Sequence, residues 1–239
     1  MTKLSVNINE LATLRNAGCG NSPDILKAAS LAGAAGAHGI TANPLPGSGL
    51  LGYEDMLQLK SMIKSELNIA GNPTDLFIRL VRELHPEQVT LMCGDGIATT
   101  SDRAWDTKHN LGFLTEVCQI FNTDGIKTSI FVEPDVEMVR YASDTGCKCA
   151  VLDAGQYSKG YEFGREAAIE PYCYAAEEAL KCGLELNAGR GFNLANIGYY
   201  HSTLPETAGI SVGHGLICDA LYIGLDTAVK AYLGELENN

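Results

Sequence analysis

Three short segments carry residue types suited to binding and proton transfer, each at the end of an apolar run. In the first, Leu4, Val6 and Ile8 alternate with the period of a strand and deliver Asn7, Asn9 and Glu10 to its C-terminal end. Two amides can orient a polar substrate there, and Glu10 can accept and return a proton. The second is Leu186-Asn187-Ala188-Gly189-Arg190-Gly191-Phe192. Its glycines let a phosphate approach backbone N–H groups, and Arg190 offers a planar fork to a carboxylate or phosphate. The third, Ser211-Val212-Gly213-His214-Gly215-Leu216, runs from a strand into the last helix and offers Gly213 and the amide of His214 to the same anion. The plainer reading of these glycines is tight turns that need positive φ.

Further carboxylates, Asp95, Glu133 and Asp153, fall at or just beyond strand ends, where each could equally cap a helix or sit in a solvated loop. Asp153 is the strongest of these because it directly follows the buried run Ala150-Val151-Leu152. Cys93 could act as a nucleophile only if its thiolate were stabilised, and is read as a buried thiol. His38, His85, His109 and His201 have structural or exposed settings, and Lys127 and Lys148 sit near strand starts, away from the catalytic face. The eight cysteines are scattered as reduced thiols, and the one close pair, Cys147-Lys148-Cys149, lacks the second pair of a zinc site. No metal is expected.

These groups need a scaffold that gathers strand ends. Strands are predicted at 4–8, 37–42, 67–70, 88–93, 127–132, 149–153, 184–187 and 209–212. Helices are predicted near 22–35, 53–66, 74–84, 109–124, 135–146, 161–182, 193–200 and 215–236, with Pro23, Pro73 and Pro171 near helix starts or first turns. A βα unit taken eight times, with no linker, predicts an α/β fold: a single (β/α)8 TIM barrel over residues 1–239. The long stretches 43–52 and 94–107 fall on its C-terminal face as lids or binding loops.

Composition narrows the function. With 239 residues, 46% hydrophobic and 19% charged, the chain can bury a core of one-domain size and is not disordered. A net charge of -12 with no basic block argues against nucleic acid, so an anionic substrate must be held by local donors. No apolar run approaches the length of a membrane span, and the N-terminus lacks the pattern of a signal peptide, so a cytoplasmic protein is expected.

The three opening segments, with Ala32-Gly33-Ala34-Ala35-Gly36-Ala37-His38-Gly39-Ile40-Thr41 and Ser129-Ile130-Phe131-Val132, resemble the pyridoxine 5'-phosphate synthase family. The resemblance implies a cofactor-free barrel, commonly a homo-octamer. That family condenses 1-deoxy-D-xylulose 5-phosphate with 3-amino-2-oxopropyl phosphate, closing a pyridine ring with loss of phosphate and water. Asn7, Thr100, Gly191, Gly213 and His214 match binding positions, mainly on the aminoketone phosphate side. The proton-transfer positions differ. Asn9 and Glu10 stand where the family has an Asp-His pair, Asn43, Leu45 and Leu50 where it has His, Arg and His, Ala70 for a glutamate, Arg190 for a histidine, and Gly18 for an arginine. Asn, Ala and Arg do not titrate near neutral pH, and each lost general acid or base typically forfeits about 10²- to 10⁴-fold in rate.

The expectation is therefore a divergent enzyme that binds a phosphorylated small metabolite of aminoketone type. It would perform a condensation or cyclisation with loss of water, by a set rebuilt on Glu10, Asp153 and Arg190. Substrate contacts are expected from Asn7, Asn9, Asn43, Thr100, Asn187, Gly189 and Gly191, with Gly191, Gly213 and His214 holding the phosphate. A non-catalytic regulatory homologue and an authentic synthase with compensating groups are the alternatives.

Overall fold

The computed structural model describes residues 1–18, 20–44, 51–94 and 103–237. Eight parallel strands close into a barrel in chain order, β1 (Lys3–Asn7), β2 (Gly39–Ala42), β3 (Glu66–Gly71), β4 (Gln88–Leu91), β5 (Lys127–Val132), β6 (Cys149–Asp153), β7 (Glu185–Gly189) and β8 (Gly209–Val212). Pairing of Lys3 with Gly209 and Val6 with Val212 joins β8 to β1. The expected (β/α)8 TIM barrel is thereby realised.

Each strand splits by side-chain parity. Leu4, Val6, Ile40, Leu67, Ile69, Val89, Leu91, Ile130, Val132 and their counterparts form one continuous core. The helices that cover it are α1 (Asn9–Ala17), α2 (Ile25–Ala34), α3 (Tyr53–Met62), α4 (Asp75–Leu84), α5 (Leu111–Thr123), α6 (Val136–Asp144), α7 (Gly155–Lys181), α8 (Ile197–Thr203), α9 (His214–Ile223) and α10 (Leu225–Glu237). In α4, Phe77, Leu80, Val81 and Leu84 recur at helical spacing and are buried, while the Thr74 hydroxyl accepts from the Phe77 N–H and fixes the start. Asp135 caps α6 in the same way, accepting from Glu137 and Met138 N–H.

The opposite parity, Ser5, Thr41, Asn68, Thr90 and Ser129, turns its side chains towards one another inside the barrel. Ser5 Oγ and Thr41 Oγ1 lie 2.8 Å apart, Thr90 Oγ1 donates to Asn68 Oδ1 at 2.9 Å, and Thr90 and Ser129 hydroxyls lie 2.8 Å apart. This polar layer satisfies itself and lines the middle of the barrel's cavity.

Four of the boundaries that differ from expectation change how the elements are read. Asn9 and Glu10 belong to the first turn of α1 rather than to a strand end, because Ile8 already accepts from the N–H groups of Leu11 and Ala12. The α3 helix stops at Met62, since Glu66 onwards is drawn into β3. The α7 helix begins at Gly155 and breaks at Gly164 (φ 168°, ψ 87°), leaving Pro171 inside it. The last helical stretch is two helices, divided at Gly224 (φ 81°). The greater part of both long loops, with Leu45, Leu50, Asp95 and Thr100, lies outside the described residues. Among the described residues no helix is long and apolar enough to cross a membrane.

Candidate active site

A cavity of about 1210 Å³ runs along the barrel axis, from Lys3, Glu66, Lys127 and Glu185 at the strand N-termini to Asn7, Asn43, Gly189, Arg190 and Gly213 at the C-terminal mouth. Lys3 pairs with Glu66 and Lys127 with Glu185, so charges at the lower end are matched. The chemistry-bearing groups collect at the mouth.

On one side stand the three asparagines. Asn9 Oδ1 accepts the Asn43 N–H at 2.8 Å, and Asn9 Nδ2 donates to the Asn43 carbonyl at 3.2 Å. A side-chain amide thus completes both backbone groups of Asn43, a task an acceptor-only aspartate cannot perform. Asn7 Oδ1 accepts the Asn9 N–H at 3.0 Å, its Nδ2 donates to Asn43 Oδ1 at 3.4 Å, and Asn43 Nδ2 reaches Met92 Sδ at 3.5 Å. The trio stitches the ends of β1 and β2 together.

The N-terminus of α9 opens beside them. The first N–H groups of a helix lack intrahelical acceptors and carry the positive end of its dipole. Gly213 precedes α9 with φ -116°, so its smallness is not demanded by a left-handed turn. A Cβ there would lie 3.2 Å from Asn7 Cβ, and close approach of two chain segments is the reason for glycine. Gly191 is different: φ is 77°, and an added Cβ would meet Ser158 Cβ at 2.7 Å. Its carbonyl accepts from Asn196 Nδ2 at 3.1 Å, which anchors the turn after β7. Gly189 has room for a side chain, its nearest neighbour being Ser211 Cβ at 3.7 Å, so glycine there keeps the cavity open. Positive φ thus accounts for Gly191 among the three.

Two charged pairs frame the mouth. Glu10 Oε1 lies 3.5 Å from His214 Nδ1, joining α1 to α9, and both side chains are well exposed. Asp153, buried at the end of β6, accepts from the Gly155 N–H at 2.8 Å and from Arg190 Nη1 at 2.8 Å. Arg190 reaches the cavity lining, whereas Asp153 stands behind it and fixes its guanidinium. Arg190 adopts φ 70°, a left-handed conformation that costs a non-glycine residue about 1–2 kcal/mol. Glu133 belongs to the same group of charges: burial raises its pKa above the ordinary carboxylate value, Asp153 adds to the rise and Arg190 opposes it.

The structure therefore brings together Asn7, Asn9, Glu10, Asn43, Gly189, Arg190, Gly191, Gly213 and His214, with Asp153 in support. Asn187 lies deeper, its Oδ1 buried without a hydrogen-bond partner among the described residues. Cys93 is only partly buried, and among the described residues no group of three His, Cys, Asp or Glu side chains could hold a metal. Sequence reasoning missed the opposite wall, where Ala70, Met92, Phe131 and Val151 form an apolar cluster apart from the main core. The signal was the second parity of β3 to β5, which turns from polar to apolar towards the mouth (Glu66-Asn68-Ala70, Gln88-Thr90-Met92, Lys127-Ser129-Phe131), joined by Cys149 and Val151 of β6.

Comparison with known proteins gives this geometry a lineage. A family model described as "Pyridoxal phosphate biosynthesis protein PdxJ" matches residues 4–238. The chain is 44% identical over 232 residues to a pyridoxine 5'-phosphate synthase of Bacteroides thetaiotaomicron, covering 97% of this chain and 98% of the relative. It is 45% identical over 237 residues to the one of Flavobacterium johnsoniae, covering 99% and 100%. Among solved structures, 3-keto-L-gulonate-6-phosphate decarboxylase from Vibrio cholerae superposes with a TM-score of 0.66 at 12% identity, covering 99% of this chain and 97% of that one, a likeness of fold alone. Phosphoribosylanthranilate isomerase from Thermotoga maritima gives 0.62 at 12% identity, covering 99% of both chains. By the full-length match and these identities, the chain belongs to the PdxJ family, an enzyme type whose named relatives are pyridoxine 5'-phosphate synthases.

Proposed function

We propose that this chain binds a phosphorylated small metabolite of the aminoketone type and condenses it with a second carbonyl compound with loss of water. The phosphate is held by the Gly191 turn and by Gly213 and the His214 amide at the start of α9. Asn7, Asn9 and Asn43 orient the ketone, and Asn187 offers its unpartnered oxygen to a donor on the substrate. When an amine adds to a carbonyl, a proton leaves nitrogen and one must reach oxygen before water departs. Glu10, 3.5 Å from His214, is placed to carry it, while Arg190, fixed by Asp153, stabilises the developing oxyanion.

The observation that carries this reading is that Glu10, Arg190, Gly191, Gly213 and His214 line one cavity. Thermal shift with phosphorylated aminoketones tests it, since a ligand at one hundred times Kd stabilises by about 2.7 kcal/mol. Binding should vanish in Gly213→Asp, and product formation should vanish in Glu10→Gln while binding survives. Binding without turnover from any carbonyl partner would mark a non-catalytic homologue.

A second reading is favoured by the identity to named synthases over the whole chain. It holds that the reaction is the relatives' own, run with compensating groups. Growth of a pyridoxine auxotroph on this gene separates the two: rescue supports the second reading, and failure despite soluble expression supports the first.

A further inference from the structure

The mouth of the barrel is two-faced. From β7 through β8 and β1 to β2 its lining is glycine backbone and amides, Gly189, Gly213, Asn7 and Asn43. From β3 through β6 the same level is occupied by Ala70, Met92, Phe131 and Val151, all but buried and packed on one another. Beneath them Thr41, Asn68, Thr90 and Ser129 spend their hydroxyls and amide on each other, so this level of the cavity offers few open donors. The charged groups around this wall are the carboxylates of Glu133 and Asp153, the first with a raised pKa and the second committed to Arg190, and the exposed Arg103, whose neighbour Ala104 packs on the wall. An anion placed against Ala70, Met92, Phe131 and Val151 would lose its hydration to side chains that offer it no hydrogen-bond donor. A hydrocarbon group placed there would lose nothing.

From this asymmetry we infer that the cavity selects its second substrate by an uncharged, apolar end seated on Ala70, Met92, Phe131 and Val151, and rejects one that carries a phosphate at that end. The pocket would accept one phosphate per ligand pair, on the β7–β8 side. The inference takes its orientation from the phosphate site proposed above, while the apolar wall stands on its own lining.

Unaltered protein carrying 13C-methyl methionine separates the two claims, with the Met92 resonance assigned through Met92→Leu. Inorganic phosphate, methyl, ethyl, propyl and butyl phosphate, propane-1,3-diyl bisphosphate and 1-butanol are titrated in turn. Each added methylene should tighten binding about fourfold, the transfer value for a buried CH₂. Butyl phosphate and 1-butanol should move the Met92 methyl signal, inorganic phosphate should not, and the bisphosphate should bind no tighter than propyl phosphate. Equal affinity along the series, a Met92 signal indifferent to butyl groups, or tighter binding of the bisphosphate would overturn the inference. Loss of all phosphate binding while 1-butanol still moves Met92 would overturn the phosphate site and leave the apolar wall standing.

Discussion

Asn9 shows how much can hang on a single side-chain atom. Its Nδ2 donates to the Asn43 carbonyl and its Oδ1 accepts the Asn43 N–H, so aspartate at this position would strip a partner from the carbonyl and set a charge beside Asn7 Oδ1. Asn9→Asp is expected to destabilise by about 1–3 kcal/mol, the cost of leaving a partly buried group unpaired, measured as a lower midpoint in urea at unchanged slope. An unchanged midpoint would mean that water replaces the lost donor. Arg190 makes the opposite case, because strain and function oppose each other there. Arg190→Gly relieves the left-handed backbone, worth about 1–2 kcal/mol, but strips the guanidinium from the buried Asp153 carboxylate, which keeps the Gly155 N–H. We expect a lower Tm, because an uncompensated buried charge costs more than the strain of the turn, together with weakened anion binding. An equal or higher Tm would show that the turn, rather than the pair, dominates.

At the scale of elements, the site depends on α1 and α9 starting where they do. Gly213→Ala would place a Cβ against Asn7 and push the first turn of α9 away from β1. The expected result is at least tenfold weaker phosphate binding with far-UV circular dichroism unchanged, an effect of about 1.4 kcal/mol. The position of α1 is tied down from its other end, where Arg15 Nη1 and Nη2 grip Asp55 Oδ1 and Oδ2 of α3 at 2.7 and 2.9 Å. Arg15 holds the Asp55 pKa below the usual carboxylate value. A lowered folded-state pKa contributes stability that is complete above the unfolded value and is lost as pH falls through the folded one. Asp55→Asn should therefore lower stability at pH 7 and flatten its loss on the acid side. The α1 helix itself was not legible in sequence, because Asn9 to Ala17 has only Ala12 buried and presents no apolar stripe. By contrast, the strands stood out as short apolar runs and emerged within a few residues of their true limits.

At the scale of the whole molecule, the barrel's lower face holds a buried histidine. His201 Nδ1 lies 3.2 Å from Thr2 Oγ1, which in turn donates to the Thr207 carbonyl, tying the N-terminus to α8. Burial lowers the His201 pKa, and the nearby N-terminal ammonium lowers it further. In the unfolded chain the imidazole protonates near its ordinary value, while in the folded one it stays neutral to lower pH. The stability it contributes is present above the unfolded pKa and declines as pH falls below about 6.5. Stability curves between pH 7.5 and 5.5 should slope downward on the acid side, and His201→Gln should remove that part of the slope. An identical slope in the variant would place the acid sensitivity elsewhere.

What the sequence determined by itself were properties that local order encodes. Apolar runs separated by helical stretches set the eight strands and the barrel, and the glycines flanking Arg190 and His214 singled out two strand ends as candidate anion positions. What only the tertiary structure decided were relations between distant residues. Asn9 meets Asn43 across 34 positions, Asp153 meets Arg190 across 37, and Ala70, Met92, Phe131 and Val151 become one wall because closure of the barrel places four strands side by side. A run of residues carries the period of its own backbone, whereas the composition of a cavity is fixed by register between strands that no local pattern records.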